Sequence, residues 1–569
     1  MPTPGAGLTA RAGRLPAGSA ALLPVAFCAV GCKLSQAETE ALAFSFRQAG
    51  FPVSPMPPWI EGPGIVVVGT CTVTSKADRK TRALIRRALR KNPESCVIAT
   101  GCYAKLDPLE IEQIEAECAA DADDGDDGGG GGMAGRPGSG AADGASRAGA
   151  HHAQAAGARR LFVPPPGKGG AGADKSALLG LPGHLRAEAL RGRGLFSAME
   201  SWMAQAGGAP RGEPDPFGLM PEEFSFRSRG YLKVQDGCGN ACSYCRARLA
   251  RGPSASLPPD AALAQARALE ERGCAEIVIA GMSIAQYRHS GFGLARLLEH
   301  LLGGTKSIAL RLSSLEPDGI GADLAAAASS PRVRPHFHIS AQSGSDAVLR
   351  AMGRAYPARA VEEAAALLRS AKENPFLACD MISGFPGETE ADFALTAGLC
   401  ERVGFAWIHS FPFSPRPGTP AFSLPGRVGE REAKRRAGAL AAMALSGRRK
   451  YAAAWIGREL SAVSEGAAQD GAASESSAMS AAAMEGSASE SAAMGAAAVS
   501  GAPPRGRHVR AVSENYLKLL VDFGGAPLPP PGSPLRCVPV SLCGGGGAGA
   551  GGDGESPDAL ARPAPPARG

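Results

Sequence analysis

Cys238, Cys242 and Cys245 stand at C-x3-C-x2-C spacing in Val234-Gln235-Asp236-Gly237-Cys238-Gly239-Asn240-Ala241-Cys242-Ser243-Tyr244-Cys245. They follow directly on an apolar run, 231–234, that reads as a β-strand. Three thiolates on one short loop can hold three corners of a cubane iron–sulfur cluster and leave the fourth iron open to a substrate or cofactor. Zinc is the other thiolate-rich reading, but it wants four protein ligands, and no further Cys or His lies near the loop. Three ordinary cysteines would be the plain alternative; free Cys is usually buried singly, so three within eight residues argue against it.

A second set of thiols follows from the elements around it. Strand-like and helical runs alternate through 25–30, 36–50, 64–70, 75–92 and 96–99, with Asp107 capping a further helix, which predicts an α/β domain with a mainly parallel sheet. Cys32, Cys71 and Cys102 each come just after one of these strands. In an open α/β sheet, ligands bind beyond the carboxyl ends of the strands, so three thiols there would meet at one edge and form a second three-cysteine cluster site. Cys28 and Cys96, inside their strands, read as buried core residues. The helix after Cys71 carries Lys76, Arg79, Lys80, Arg82, Arg86, Arg87, Arg90 and Lys91, either a solvated face or a footprint for a phosphate backbone.

The elements that must position the first triad repeat every 30–45 residues from Tyr231 onward. Strand-like runs at 231–235, 276–280, 307–312, 337–341, 376–382 and 407–411, with helical runs between them, predict an open, partial (βα)6 barrel. The cysteine loop leaves the first strand at its C-terminal end, where barrel enzymes place their chemistry. Other strand ends carry Gly281-Met282-Ser283, Ser313-Ser314-Leu315-Glu316, Gln342-Ser343-Gly344 and Gly384-Phe385-Pro386-Gly387-Glu388-Thr389. A basic helix at about 430–455 and strand signals at 457–463, 510–512, 516–522 and 537–542 predict a small C-terminal β-barrel.

The 569 residues carry a net charge of +6, which permits a polyanionic partner without requiring one. Fourteen cysteines are too scattered for a small disulfide scaffold and favour metal ligation in a reducing, cytoplasmic setting. Arg11 and Arg14 precede an apolar run that ends at Gly31-Cys32, as in a lipoprotein signal, but Pro24 interrupts it and secretion is not expected. No window of about 18 uninterrupted apolar residues predicts a membrane span. Composition divides the chain into a disordered leader (1–19), an α/β domain (20–185) with a disordered insertion at 119–158, and a linker (186–222). The barrel and its basic helix follow (223–455), then a β module (456–543) interrupted at 465–505 by low complexity, and a disordered tail (544–569).

The cysteine loop, with Tyr244 just before its third cysteine, resembles that of the radical S-adenosylmethionine (SAM) enzymes. Gly31-Cys32-Lys33, Thr70-Cys71-Thr72-Val73-Thr74, Thr100-Gly101-Cys102, Gln235-Asp236-Gly237-Cys238 and 384–389 together resemble the tRNA methylthiotransferases. That family joins a cluster domain, a radical SAM barrel and an RNA-binding TRAM barrel. The resemblance implies two [4Fe–4S] clusters, one on Cys32, Cys71 and Cys102 that delivers sulfur and one on Cys238, Cys242 and Cys245 that binds S-adenosyl-L-methionine. It places Tyr244, Gly281, Ser313 and Glu316 around SAM, and it assigns no certain catalytic residue. It implies one-electron cleavage of SAM, activation of a ring C–H of adenosine, and a methyl group from a second SAM. The partners it implies are the tRNA anticodon loop and an electron donor of the flavodoxin or ferredoxin type. Gly-Cys-Lys and Thr-Cys-Thr-Val-Thr resemble the branch acting on N6-threonylcarbamoyladenosine at position 37; isopentenyladenosine and ribosomal protein S12 are the alternative substrates. Arg246-Ala247-Arg248-Leu249-Ala250-Arg251 departs from the Ile-rich stretch usual after the third cysteine. Rival readings are an iron–sulfur electron carrier and an RNA-binding protein with structural zinc.

Overall fold

The computed structural model describes residues 22–56, 60, 62–123, 159–164, 175–208, 215–221, 223–224, 228–467, 508–543 and 557–564. The N-terminal domain is a five-stranded, all-parallel sheet in the order β2-β1-β3-β4-β5, from β1 (Val25–Ala29), β2 (Val53–Pro55), β3 (Ile65–Thr70), β4 (Cys96–Gly101) and β5 (Leu161–Phe162). In β3 the side chains alternate faces, and both are buried. Ile65 and Val67 pack with Ala41, Leu42 and Phe46 of helix α1 (Lys33–Gln48). Val66 and Val68 pack with Leu84 and Ile85 of α2 (Ser75–Lys91) and, beyond the short α3 (Cys102–Leu106), with Ile111 and Ile114 of α4 (Pro108–Asp123).

The central domain holds two three-stranded parallel sheets. One is β6 (Gly230–Lys233), β9 (Glu276–Ala280) and β10 (Ala309–Leu312); the other is β11 (His336–Gln342), β12 (Phe376–Ser383) and β13 (Trp407–Pro412). Parallel bridges Leu310–Val333 and Leu315–Ile339 join them, giving the six-stranded partial barrel that the 30–45-residue spacing predicts. A short antiparallel pair, β7 (Gln235–Asp236) with β8 (Ala255–Ser256), frames the cysteine loop.

The C-terminal module is a closed barrel in the order β14-β15-β16-β18-β17, from β14 (Leu460–Ala467), β15 (His508–Ser513), β16 (Lys518–Asp522), β17 (Pro534–Leu542) and β18 (Ala559–Pro563). It closes the N-terminal end of the central strands: Arg311 of β10 donates to the Ser513 carbonyl at 3.1 Å, and the His336 ring lies 4.1 Å from that of Tyr516.

Three segments depart from the expectations. The described part of the expected linker at 186–222 is not loose up to residue 208, because helices Leu181–Leu190 and Leu195–Gly208 bury Leu185, Ala198, Met199 and Trp202 against the face of the sheet that also carries α1. The described part of the tail, expected to be disordered, is folded: Ala559 and Ala561 enter the core of the C-terminal barrel, and β18 bridges β16 and β17 to close it. Helix α4 runs to Asp123, past the expected start of the insertion at 119. The leader, the rest of that insertion and the stretch 468–507 lie outside the described residues. Among the described residues no helix is long and apolar enough to cross a membrane.

The basic helices serve the fold more than the sequence suggests. In α2, Arg82 and Arg86 reach α4 and pair with Glu110 (2.5 Å) and Glu117 (2.6 Å), while Lys76, Arg79, Arg87, Arg90 and Lys91 are exposed. In helix Glu430–Ala453, Arg436 is buried on Glu388 (2.7 Å), and Arg448 reaches Asp558 in the C-terminal barrel (2.5 Å).

Candidate active site

Each cysteine of the first set sits where a strand ends. Cys32 is the N-cap of α1 after β1, Cys71 follows β3, and Cys102 opens α3 directly after β4. Because the three strands are parallel and adjacent, their carboxyl ends share one edge, and the three thiols interact there. Two glycines permit the approach. Gly31 has φ +155° and a Cβ there would lie 3.0 Å from the Cβ of Cys71; Gly101 has φ +109° and its Cβ would lie 2.4 Å from the Thr70 carbonyl oxygen. Burial, reinforced by Cys32 and Cys102, pushes the Cys71 thiol up to about 12. Three thiols at one sheet edge, none in a disulfide, are a donor set that a soft metal cluster would satisfy by displacing their protons.

The second set lies on the loop between β7 and β8. Gly237 carries φ +67°, and a Cβ at this position would come 1.8 Å from the Pro253 carbonyl oxygen, so only glycine lets the loop turn into Cys238. Burial raises the Cys238 and Cys245 thiols. Side chains from other barrel units donate to the sulfurs: Gln286 Nε2 to Cys238 Sγ at 3.6 Å and Arg354 Nη1 to Cys242 Sγ at 3.2 Å. Such donors both orient cluster ligands and tune a cluster's potential.

Of the other expected residues, Glu316 touches the cysteine loop. Its carboxylate accepts from Asn240 of the cysteine loop (2.5 Å) and from Ser283, and it lies 3.7 Å from Arg354. Tyr244 packs edge-on against Phe385, centroids 6.5 Å apart. Gly281 leaves no room for a side chain beside Gln235, and Ser313 is buried with its Oγ unpartnered.

Sequence reasoning missed the residues that join the two sets. Arg251 donates to Cys102 Sγ (3.3 Å), to both oxygens of Glu38 in α1 (2.6 and 3.0 Å) and to Asp236 beside the cysteine loop (3.0 Å). Arg246 holds Asp107 at 2.6 and 2.7 Å, and Arg416 at the far end of the barrel pairs with Asp78 and Thr72. The arginine-rich departure after Cys245 thus ties the cluster domain onto the barrel mouth. A run of arginines signals this only once acidic partners far away in sequence are known.

A third group lines the barrel interior. Lys33, next to Cys32, is half-buried yet deeply enclosed; burial and then Arg229 and Arg311 lower its pKa to about 8. His338 of β11 lies 2.9 Å from Asp380 of β12, and the His338 and His409 rings are 5.0 Å apart. Burial and then His338 hold His409 down at about 3.

Comparisons with known proteins agree with this architecture. Residues 232–400 match the Radical SAM superfamily and residues 24–120 match Uncharacterized protein family UPF0004. The chain is 38% identical over 481 residues to the threonylcarbamoyladenosine tRNA methylthiotransferase MtaB of Treponema pallidum, an alignment covering 77% of this chain and 90% of that relative. It is 30% identical over 439 residues to the same-named protein of Thermotoga maritima, covering 76% of this chain and 85% of the relative. Among solved structures, the radical SAM methyltransferase TsrM of Kitasatospora setae aligns at a TM-score of 0.42 and 13% identity, over 70% of this chain and 77% of that one. With both domain models in order and a relative of this identity spanned almost end to end, the chain belongs to the radical SAM tRNA methylthiotransferases of the MtaB type.

Proposed function

We propose that Cys238, Cys242 and Cys245 hold the SAM-binding cluster and Cys32, Cys71 and Cys102 hold the sulfur-donating one, in an enzyme that converts N6-threonylcarbamoyladenosine at position 37 of tRNA to its 2-methylthio derivative. The observation that carries this reading is the pair of separate thiol triads brought to one barrel mouth, with Arg251 spanning from the first triad to the base of the loop bearing the second. SAM and the clusters supply radical generation, sulfur and the methyl group. The chain does the rest. Gln286 and Arg354 steady two sulfurs of the loop, and Arg251 does the same for Cys102. Glu316, braced by Asn240 and Ser283, presents an acceptor for the ammonium of SAM. The N-terminal domain covers the mouth and excludes water that would quench a radical. The exposed cations of α2, next to Cys71, and the C-terminal barrel support a role in holding the RNA. A flavodoxin- or ferredoxin-type donor in the cytoplasm would supply the electrons.

Nucleoside mass spectrometry of tRNA from cells lacking this protein tests the reading. Loss of 2-methylthio-threonylcarbamoyladenosine is expected, with the unthiolated nucleoside accumulating. Restoration requires the wild-type gene and fails with Cys71→Ala or Cys242→Ala. An unchanged level of that nucleoside, with loss of the isopentenyladenosine derivative instead, would move the substrate assignment.

A further inference from the structure

Among the described residues eight large hydrophobic side chains are exposed, and four of them belong to segments that meet at the junction of barrel and cluster domain: Val73 (57% exposed), Leu109 (71%), Leu249 (44%) and Phe422 (40%). Elsewhere in the fold such residues stand singly, which needs no explanation; four together mark an interaction site. Hydrogen bonds tie the segments to one another. Arg246, three residues before Leu249, reaches Thr72 beside Val73 at 3.4 Å and Asp107, two residues before Leu109, at 2.6 Å. Arg416 donates to the same Thr72 at 2.8 Å. From Arg416 the chain passes Gly418, where an added Cβ would lie 3.6 Å from Leu249 Cδ1. It then reaches Ala421, whose N–H donates to the Ser243 carbonyl at 2.8 Å, directly before Phe422. Ser243 lies between Cys242 and Cys245, so this face abuts the loop of the second triad.

Cations border the apolar centre. Arg248 stands beside Leu249, Arg427 holds its guanidinium 5.5 Å from the centre of the Phe422 ring, and Arg431 is exposed in the first turn of helix Glu430–Ala453. None of the three has a carboxylate partner among the described residues. The carboxylates nearby are already taken: Asp107 by Arg246, Glu110 by Arg82 and Glu430 by Lys434. An apolar centre inside a charged rim is the anatomy of a protein interface, and the uncompensated positive charge calls for an acidic partner. RNA is the other polyanion. It is held by cations and by bases stacked on aromatic rings, whereas three of the four central side chains here are aliphatic.

We propose that this face docks an acidic, flavodoxin-type carrier that delivers one electron to the cluster held by Cys238, Cys242 and Cys245. The proposal rests on the radical SAM reading above and adds where the electron donor sits. The transfer balances without further reactants: the carrier's anionic flavin hydroquinone loses one electron, the cubane gains it, and no bond or proton moves. The dimethylbenzene edge of a flavin is itself apolar and suits a centre of Leu249, Val73 and Phe422, while carboxylates around it meet Arg248, Arg427 and Arg431. An iron–sulfur carrier would bring a polar, anionic cluster to that same apolar centre, which makes the flavin carrier the better occupant.

The test uses the cluster-loaded full chain under anaerobic conditions, with stopped-flow absorbance following cluster reduction. The reductants are flavodoxin hydroquinone and titanium(III) citrate, a small molecule that needs no docking face. Affinity for an anticodon stem-loop RNA carrying threonylcarbamoyladenosine is measured alongside. Arg427→Glu and Leu249→Ser are each expected to slow reduction by flavodoxin at least about tenfold at low salt, leaving the titanium rate and the RNA affinity as in wild type. Added salt should slow the wild-type reaction with flavodoxin and narrow the gap to Arg427→Glu. Leu445→Ser, at a leucine 53% exposed about four turns along helix Glu430–Ala453, should change none of the three readouts. If Leu249→Ser loses iron, Phe422→Ser takes its place. Wild-type flavodoxin rates in both the charge and the apolar variant overturn the proposal. Variants that lose RNA affinity but keep the flavodoxin rate give the face to RNA and overturn it too. Variants that slow a ferredoxin and not flavodoxin overturn the choice of a flavin carrier. A wild-type chromophore that neither reductant bleaches overturns the cluster reading itself.

Discussion

The Arg251 guanidinium grips both carboxylate oxygens of Glu38, at 2.6 and 3.0 Å, across the boundary between barrel and cluster domain. Both side chains are 6% exposed, and Lys233 and Asp236 complete a buried four-membered charge network. Glu38 is between one and two turns along the helix that Cys32 caps, and Arg251 follows the loop of the second triad, so this contact sets the geometry between the two cluster sites.

Arg251→Met removes one of the two cations, Arg251 and Lys233, that pair with the buried carboxylates of Glu38 and Asp236. Breaking a buried ion pair from one side costs roughly 3–5 kcal/mol, and a loss of that size is expected in anaerobic chemical denaturation. The variant is also expected to lose iron from the first cluster. Stability and iron content equal to wild type would show that the network does not hold the domains.

Gly237→Ala is expected to remove one cluster and spare the other. The added methyl would collide with the Pro253 carbonyl, and the loop cannot close on a metal. Iron should fall from about eight to about four per chain, as two cubanes become one. Far-UV circular dichroism should change little, because only the two-residue strands β7 and β8 border the turn. Full iron content in this variant would contradict the assignment.

Glu276 sits beneath the barrel, 1% exposed, within reach of Arg311, Arg334 and Arg229. Burial alone would raise its pKa, but Arg311 foremost among these arginines outweighs that and lowers it to about 2. A carboxyl depressed in the folded state stabilises above its unfolded pKa, near 4.5, and loses that contribution as pH falls towards 2. Glu276→Gln is therefore expected to be destabilised by on the order of 3 kcal/mol at pH 7, and the gap should narrow below about pH 4.5. Parallel pH dependence of the two melting temperatures would refute this.

Arg246 and Asp107 form a bidentate pair between the cysteine loop's flank and the first turn leading into α4. A double-mutant cycle with Arg246→Ala and Asp107→Ala should yield a coupling of about 1–3 kcal/mol. Additive effects would mean that the pair is incidental to docking.

Much of the architecture was legible because it rests on local signals. β-branched runs, glycine ends and the 30–45-residue repeat marked all six central strands and the parallel N-terminal sheet. Strands and caps express themselves in neighbouring residues. Helix Leu195–Gly208 and strand β18 escaped the reading because their partners are remote. Each is weakly patterned alone and is ordered by an apolar face elsewhere in the chain.

The site divides in the same way. The amino-acid order alone marked the loop triad, since three thiols within eight residues share one short loop whatever the fold, and it marked Cys32, Cys71 and Cys102 by their matching places after strands. Only the tertiary structure decided what lies between the triads. Arg251 and Asp236 of the barrel and Glu38 of α1 come from three segments and become partners when α1 docks on the barrel. Charge acts through space rather than along the chain, so no spacing in the sequence records it.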